Sequence, residues 1–235
     1  MNARLEDTDM SKWEARDAKH LAALLAGDHF GDHPEDNLDK IRAEKKNRAD
    51  DLCKKMGCTK ESIVLEIGSG MGFTSKYVAE NVKHLYCSDI STSFLDTARK
   101  ECAGVKNIDF IKIEHEPATF AFENEFFDMI FADAVFIHLN LYDIYWYFSE
   151  FQRLAKKRGK VFINVMNGSK IDPQKLSQMA DFYRKDTDSL KRLLCWNSMD
   201  AVLTVASTFG FKLESRGKLG GLVQRASVDL LFSKR

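Results

Sequence analysis

The sequence lacks several features that would assign it to a specialised class of protein. Its 35 basic and 35 acidic residues cancel, so net charge does not indicate a nucleic-acid-binding face, although a local patch could be hidden in the average. The five cysteines form no CxxC pair and are odd in number, which favours reduced thiols over a disulfide framework or a zinc site. No apolar run approaches the roughly 18–20 residues of a membrane span.

Two further absences narrow the class. The first residues carry no apolar segment like that of a secretory signal, and the chain shows neither internal repeats nor low-complexity segments. We therefore expect a cytoplasmic protein without a membrane partner. Hydrophobic residues form 44% of the 235 residues, which is ordinary for a globular protein and argues against disorder. This length suits one α/β domain with an appendage.

The most informative stretch is a short apolar run that leads into three glycines at alternate positions. Ile63–Ile67 is followed by Gly68, Gly70 and Gly72, and then by a helix-like segment. This order predicts a buried strand, a tight turn and a helix start. Glycines allow positive φ and remove Cβ atoms where a ligand approaches the backbone, and a helix N-terminus offers free N–H groups. We therefore expect this loop to open a ligand pocket.

Downstream of this loop, strand-like and helix-like patterns alternate. Strands are predicted at 85–89, 108–113, 127–132, 160–165, after 209–211 and at 226–232, and helices at 94–102, 141–155, 173–195 and 199–208. A basic, glycine-containing turn at 156–159 enters the strand at 160. Strands that alternate with helices indicate a mostly parallel sheet covered on both faces.

The first 60 residues differ from the rest because they are charged and helical, with a thin apolar stripe. Helices are predicted there at 11–26 and 35–56. We therefore divide the chain into an N-terminal helical cap or lid at 1–60 and a ligand-binding body at 61–235. A helical insertion within that body is predicted at about 167–197.

The loop between the two N-terminal helices contains Asp28, His29, Asp32 and His33. Side chains of these types can bind a divalent ion, but Gly31 argues against one continuous helix that would align them. We expect no metal site here. A solvated or helix-capping loop is favoured, and a substrate lid is a further possibility.

The predicted strands deliver acidic residues to one edge of the sheet. In an open parallel sheet, ligands bind beyond the C-terminal ends of the strands. The strands end at or near Glu66, Asp89, Glu114 and Asp133, with His138 shortly after the last of these. No Lys or Arg stands among these positions. Such a pocket suits a nucleoside that carries a cation better than one that carries phosphates.

These segments resemble, in order, the motifs of class I S-adenosylmethionine-dependent methyltransferases. The glycine loop with its preceding acid matches their first motif, and Asp89 matches the acid that ends their second strand. Later segments at 107–115, 126–139 and 153–160 resemble their third strand, fourth strand and turn into the fifth. The match covers roughly residues 60–235. It implies a Rossmann-like, mostly parallel seven-stranded sheet flanked by helices, with the last strand antiparallel.

The resemblance also implies S-adenosyl-L-methionine as the cofactor and assigns residues to it. The glycines would let its methionine end lie against the backbone, and Asp89 would hold the ribose. Glu114, or else His115 or Glu116, would contact the adenine amino group. The implied cofactor-binding residues are Glu66, Gly68, Ser69, Gly70, Gly72, Asp89, Ile90, Glu114, His115 and Asp133. The family often has Gly-Asp where this chain has Ile113-Glu114, so the adenine contact rests on the weakest match.

Two rival binding motifs fit the glycine loop less well. The NAD-binding fingerprint GxGxxG requires glycine at position 73, where the sequence has Phe73. A Walker loop is excluded because no Gly-Lys-Ser/Thr follows the glycines. A glycine turn that binds nothing remains the alternative without function.

The implied reaction is a displacement at the sulfonium methyl, for which an enzyme aligns the acceptor and often removes a proton from it. The candidate catalytic residues are His138, as a base, and Asp133, which could instead line the transfer pocket or bind substrate. His138 could equally be a loop residue without a catalytic role. We expect a small-molecule acceptor that is methylated on oxygen or nitrogen.

Macromolecular acceptors and non-catalytic binding are the competing hypotheses. DNA methylation is disfavoured because no Pro-Pro-Tyr type motif follows the fourth strand and no Pro-Cys occurs, and we expect no nucleic-acid partner. A homodimer is possible. The alternatives are a protein or RNA methyltransferase and a non-catalytic module that binds the same cofactor. Aromatic residues of the predicted helix at 141–155 could line a substrate cavity or pack in the core.

Overall fold

The computed structural model describes residues 38–114, 119–171, 173–185, 194–217 and 227–235. The helices are α1 (Leu38–Met56), α2 (Ser75–Ala79), α3 (Thr92–Glu101), α4 (Leu141–Leu154), α5 (Pro173–Lys185) and α6 (Met199–Thr208), with 3₁₀ turns at Phe136–His138 and Gly168–Lys170. The strands are β1 (Ile63–Ile67), β2 (His84–Asp89), β3 (Ile108–Lys112), β4 (Phe127–Ala132), β5 (Ala155–Asn167), β6 (Trp196–Asn197), β7 (Phe211–Gly217) and β8 (Ser227–Lys234).

The strands form one sheet in the order β3-β2-β1-β4-β5-β8-β7, and the two-residue β6 pairs with β5 beside this path. β8 is antiparallel to both β5 and β7, and the other pairings are parallel. The prediction of a mostly parallel sheet whose last strand is antiparallel is confirmed. The main path has the seven expected strands, and β6 is an addition that the sequence did not reveal.

The start of β5 differs from the prediction. The strand begins at Ala155, which pairs with Phe127, and the next pair joins Met129 to Lys160. The basic residues predicted as a turn therefore bulge out of the strand instead of preceding it. Arg158 has a φ of 64° there, and a Cβ at Gly159 would lie 2.8 Å from the carbonyl oxygen of Lys156, so glycine is needed for this bulge.

Helices cover both faces of the sheet. On one face α4 and α6 pack over the strands, and Phe148 and Phe151 are fully buried there. On the other face Leu52 and Met56 of α1 pack with Val64 of β1. Burial of these apolar side chains supplies the main stabilising free energy of such layers.

The predicted N-terminal cap is only partly described. α1 belongs to a layer on one sheet face, so this part of the segment 1–60 shares the main core. The predicted helix at 11–26 and the loop with Asp28 and His33 lie outside the described residues, and the lid stays a prediction. Of the insertion, α5 and β6 are described, whereas 186–193 lie outside.

The aromatic stripe of α4 is divided between core and surface. Tyr147, Phe148 and Phe151 are buried, while Tyr142 is 81% exposed and Trp146 is 55% exposed. The buried residues thus pack in the core rather than line a cavity. No helix in the described part of the chain is both long and apolar enough to cross a membrane.

Candidate functional site

The glycine loop forms the predicted tight turn between β1 and α2. Gly68, Gly70 and Gly72 have φ values of 70°, 54° and 79°, which L residues rarely adopt. The N–H groups of Gly68 and Ser69 donate to the carbonyl oxygen of Ser88 at 2.7 and 2.9 Å. These bonds fix the loop against the end of β2.

The three glycines have different surroundings. A Cβ at Gly68 would lie 2.3 Å from Cγ2 of Val135, and a Cβ at Gly72 would lie 2.9 Å from that of Ala98. A Cβ at Gly70 would meet no heavy atom within 4 Å. Packing within the protein therefore requires glycine at positions 68 and 72, whereas Gly70 borders open space that a ligand can enter.

Asp89 closes the loop from the end of β2. Its Oδ2 accepts the N–H of Gly70 at 2.8 Å, and its Oδ1 accepts the N–H of Ser91 at 2.8 Å. Burial raises the pKa of Asp89, and these backbone hydrogen bonds oppose that shift. A carboxylate offers about four acceptor positions, so each oxygen retains capacity for a hydroxyl of a ligand.

Glu66 lies under the loop at the end of β1 and is 3% exposed. Burial raises its pKa to about 7, while a hydrogen bond from the Cys87 thiol to Oε2 at 3.2 Å acts in the opposite direction. Near neutral pH this carboxyl can exist in either form. In its ionised form, this carboxyl would attract a cation that approaches it.

Only some of the residues predicted to contact the adenine, beyond the ends of β2 and β3, can be described. Ile90 is half-buried, and its carbonyl oxygen accepts a hydrogen bond from the Lys112 ammonium. Glu114 is exposed, and His115 lies outside the described residues. Two cations from other positions reach this edge, because Lys112 donates to Ile90 and Arg48 of α1 donates to Asp133.

Asp133 follows β4 and is held by an arginine that no sequence motif singled out. Arg48 of α1 donates to both of its oxygens, from Nη2 to Oδ1 at 2.6 Å and from Nε to Oδ2 at 3.0 Å. Asn164 of β5 also donates to Oδ1, at 2.7 Å. Burial would raise the pKa of Asp133, but the Arg48 guanidinium holds it below its usual range.

His138 lies in the 3₁₀ turn that follows Asp133, and it is half-buried. Its backbone N–H donates to the carbonyl oxygen of Val135 at 2.9 Å. Its backbone carbonyl oxygen accepts a hydrogen bond from the Cys195 thiol at 3.1 Å. Val135 also contacts the glycine loop, so the structure brings the His138 loop beside the ligand pocket.

The described residues include no group of three or more side chains suited to hold a metal ion. The loop with Asp28 and His29 lies outside them.

S-adenosylmethionine fits the glycine-loop end of the site on three observations. Open space borders Gly70, acidic groups without a dominant cation flank it, and the buried Oγ of Ser69 has no hydrogen-bond partner among the described residues.

One family model matches this chain. Residues 65–163 match the model of a methyltransferase domain. No curated protein sequence matches the chain.

Solved structures share the fold at low sequence identity. One is an S-adenosylmethionine-dependent methyltransferase from Leishmania major, with 12% identity and a TM-score of 0.66 over 96% of this chain and 81% of that one. Another is magnesium protoporphyrin IX methyltransferase from Synechocystis with bound S-adenosylhomocysteine, with 16% identity and a TM-score of 0.64 over 83% of this chain and 85% of that one.

A third is geranyl diphosphate C-methyltransferase from Streptomyces coelicolor, with 13% identity and a TM-score of 0.61 over 80% of this chain and 77% of that one. Identities this low show the fold alone. The matched domain model, which runs from β1 into β5, adds the activity. Residues 65–163 of the chain are therefore a methyltransferase domain, and its fold is that of solved S-adenosylmethionine-dependent methyltransferases.

Proposed function

We propose that the enzyme methylates an oxygen or nitrogen atom of a small molecule that binds between the glycine loop and the His138 loop. The observation that carries this proposal is the open space at Gly70, with Val135 of the half-buried His138 loop against the neighbouring Gly68. Two of the structural relatives are named for small-molecule acceptors, magnesium protoporphyrin IX and geranyl diphosphate, which supports an acceptor of this size. An oxygen or nitrogen lone pair can attack a methyl group directly.

The residues of the glycine-loop end would bind the donor. Glu66 would pair with its ammonium group, because a buried carboxyl gains most from a cation that enters the same site. Asp89 would accept its ribose hydroxyls, and Ile90 would pack against its adenine. When bound, the donor supplies an activated methyl group. The chain's own contribution is to align that group with the acceptor and to exclude water.

His138 is the proposed proton acceptor. It lies three residues after Val135, which contacts the glycine loop, and an imidazole is the side chain best suited to take a proton near neutral pH. Asp133 suits this role poorly. Its two oxygens already accept three hydrogen bonds, and Arg48 lowers its pKa, so it holds a proton weakly.

The first test is calorimetric titration with S-adenosylhomocysteine. We expect binding by the wild type and at least about tenfold weaker binding by Asp89→Asn, because a lost charge-assisted hydrogen bond costs about 1.5–3 kcal/mol. Asp128→Asn is the matched control. Asp128 also accepts a backbone N–H, from Ile63, but at the opposite end of β1. Failure of the wild type to bind would contradict the proposal.

The second test measures transfer of a labelled methyl group to a panel of small amines, alcohols and phenols. We expect turnover of at least one, and we expect His138→Gln to reduce kcat about 10²-fold or more while S-adenosylhomocysteine affinity is kept. His84→Gln is the control, since His84 pairs with Asp109 at the far edge of the sheet. Binding of the cofactor without turnover of any acceptor would favour a non-catalytic module.

A further inference from the structure

Four polar side chains form a buried cluster that links α1 to the acceptor side of the site. Asp133 follows β4, and Asn164 lies in β5. Asp229 of β8 stands opposite Asn164 in the register of the antiparallel pair β5 and β8. Arg48 enters from α1 and completes the cluster. We call these four residues the polar anchor.

Arg48 is the residue that joins the elements. Its side chain is 5% exposed, and its guanidinium binds Asp133 with two hydrogen bonds and lies 3.5 Å from Oδ2 of Asp229. The guanidinium also lies 5.6 Å from the centre of the Phe162 ring. A planar fork that binds both carboxylate oxygens fixes their orientation, which a single ammonium group cannot do.

The anchor controls the backbone immediately after β4. Oδ1 of Asn164 accepts the N–H of Ala134 at 2.9 Å, while its Nδ2 holds Asp133. Ala134 has a φ of 62°, which is rare for a residue with a side chain. A residue keeps such a conformation only when its surroundings impose it. Asn164 holds the Ala134 N–H directly, and Arg48 holds the carboxylate of the preceding residue, Asp133.

This turn sets the position of the residue that contacts the glycine loop and of the proposed proton acceptor. Val135 is the next residue, and its Cγ2 occupies the place that a Cβ of Gly68 would need. His138 follows in the 3₁₀ turn, whose far end is held by hydrogen bonds from Cys195 to the carbonyl oxygens of Ile137 and His138. A rotation at Ala134 would therefore move His138 relative to the glycine loop.

We propose that Arg48 is a positioning residue, which acts through Asp133 and the Ala134 turn to hold His138 at its distance from the methyl donor. The inference rests on the proposed function for the statement that the acceptor binds beside His138. It predicts that loss of Arg48 reduces kcat while KM for the acceptor and affinity for the cofactor product change little.

Hydrogen–deuterium exchange of the full chain tests the mechanical part without any methyl acceptor. For Arg48→Met we expect the amides of 134–138 to exchange at least about tenfold faster, while the Kd of S-adenosylhomocysteine changes by less than about threefold. Arg42→Met is the matched control. Arg42 lies on the same helix and pairs with Glu101, so its loss should leave exchange at 134–138 unchanged.

A second variant keeps this test decisive if Arg48→Met does not fold. Asp229→Asn preserves the volume of the cluster but weakens the contact between Arg48 and residue 229. We expect at least about threefold faster exchange at 134–138. Unchanged exchange there in the folded variants would overturn the proposal, as would a loss of cofactor-product affinity as large as the gain in exchange. These results are independent of whether the proposed acceptor class is right.

Kinetics then test the link to catalysis with whichever panel compound is methylated. We expect kcat to fall at least about tenfold in Arg48→Met, with acceptor KM within about threefold, and Arg48→Lys to recover part of the loss because it restores the charge without the fork. A rise in KM with kcat unchanged would show that Arg48 serves substrate binding instead.

Discussion

The glycine-loop half and the acceptor half of the site both place carboxyl groups at the same edge of the sheet. The pKa values of these carboxyl groups are shifted in opposite directions in the two halves. On the glycine-loop half, burial dominates and raises the pKa of Glu66 and of Asp89. On the acceptor half, Arg48 lowers the pKa of Asp133 although that side chain is only 10% exposed. Backbone N–H groups bind Asp89 and a thiol binds Glu66 in the first half, whereas a guanidinium binds Asp133 in the second.

This difference separates the groups that await a ligand from those that hold the fold. A buried acid with a raised pKa gains when a cationic or hydroxyl-bearing ligand arrives, so under the proposed function the cofactor completes the glycine-loop half. The acceptor half is completed by α1 of the same chain. Substitutions in the second half should therefore affect stability most, and those in the first half should affect ligand binding and its pH dependence.

The largest expected effect is the loss of stability in Arg48→Met. Removing the arginine of a buried ion pair takes away the guanidinium that two buried carboxylates share, at a cost of about 3–5 kcal/mol. Arg42→Met removes an ion pair whose arginine is 37% exposed, and it should cost less than about 1 kcal/mol. Urea unfolding of both variants measures the difference. Similar small losses would mean that the polar anchor does not stabilise the fold.

The next effect is a pH dependence of stability that originates in Glu66. Its pKa rises from 4.5 to about 7 on folding, so the unfolded chain loses this proton first as pH increases. The free energy of unfolding should then fall between about pH 4.5 and about pH 7, by roughly 3 kcal/mol from this group. Urea unfolding across this range should show the fall in the wild type and a smaller one in Glu66→Gln. Equal slopes would contradict the assignment.

A smaller effect is expected on cofactor affinity. If the ammonium group of the ligand pairs with ionised Glu66, binding requires loss of the Glu66 proton. Lowering the pH from about 7.5 to about 6 should therefore weaken S-adenosylhomocysteine binding about eightfold in the wild type. The dependence should be nearly absent in Glu66→Gln. Calorimetry at several pH values measures both, and tighter binding at the lower pH would exclude the pairing.

The glycine-loop half could be predicted from the sequence because its determinants are local. The run Ile63–Ile67, the spaced glycines and Asp89 lie within one strand–turn–helix–strand unit, and the structure places them as expected. The sequence could not distinguish the glycines from one another. Whether a Cβ meets Val135, Ala98 or open space depends on residues that are distant in the chain.

The acceptor half could not be predicted because its partners are distant. Arg48 and Asp133 are 85 positions apart, and neither helical periodicity nor the strand pattern shows which charges will meet. Two signals were present. Arg48 falls on the apolar stripe of α1 one residue before Ala49, and Asn164 interrupts a run of apolar residues in β5. Polar residues at buried positions require partners, so each pointed to an internal contact.

The most direct test of this division compares two glycines with positive φ, one at the proposed cofactor site and one outside it. Gly70 and Gly210 have φ values of 54° and 78°, and a Cβ at either would meet no heavy atom within 4 Å. Alanine should therefore cost each protein a similar stability, about 1–2 kcal/mol. Gly70→Ala should bind S-adenosylhomocysteine at least about tenfold more weakly than the wild type, while Gly210→Ala binds it normally. Equal affinities in the two variants would contradict the claim that the cofactor lies against Gly70.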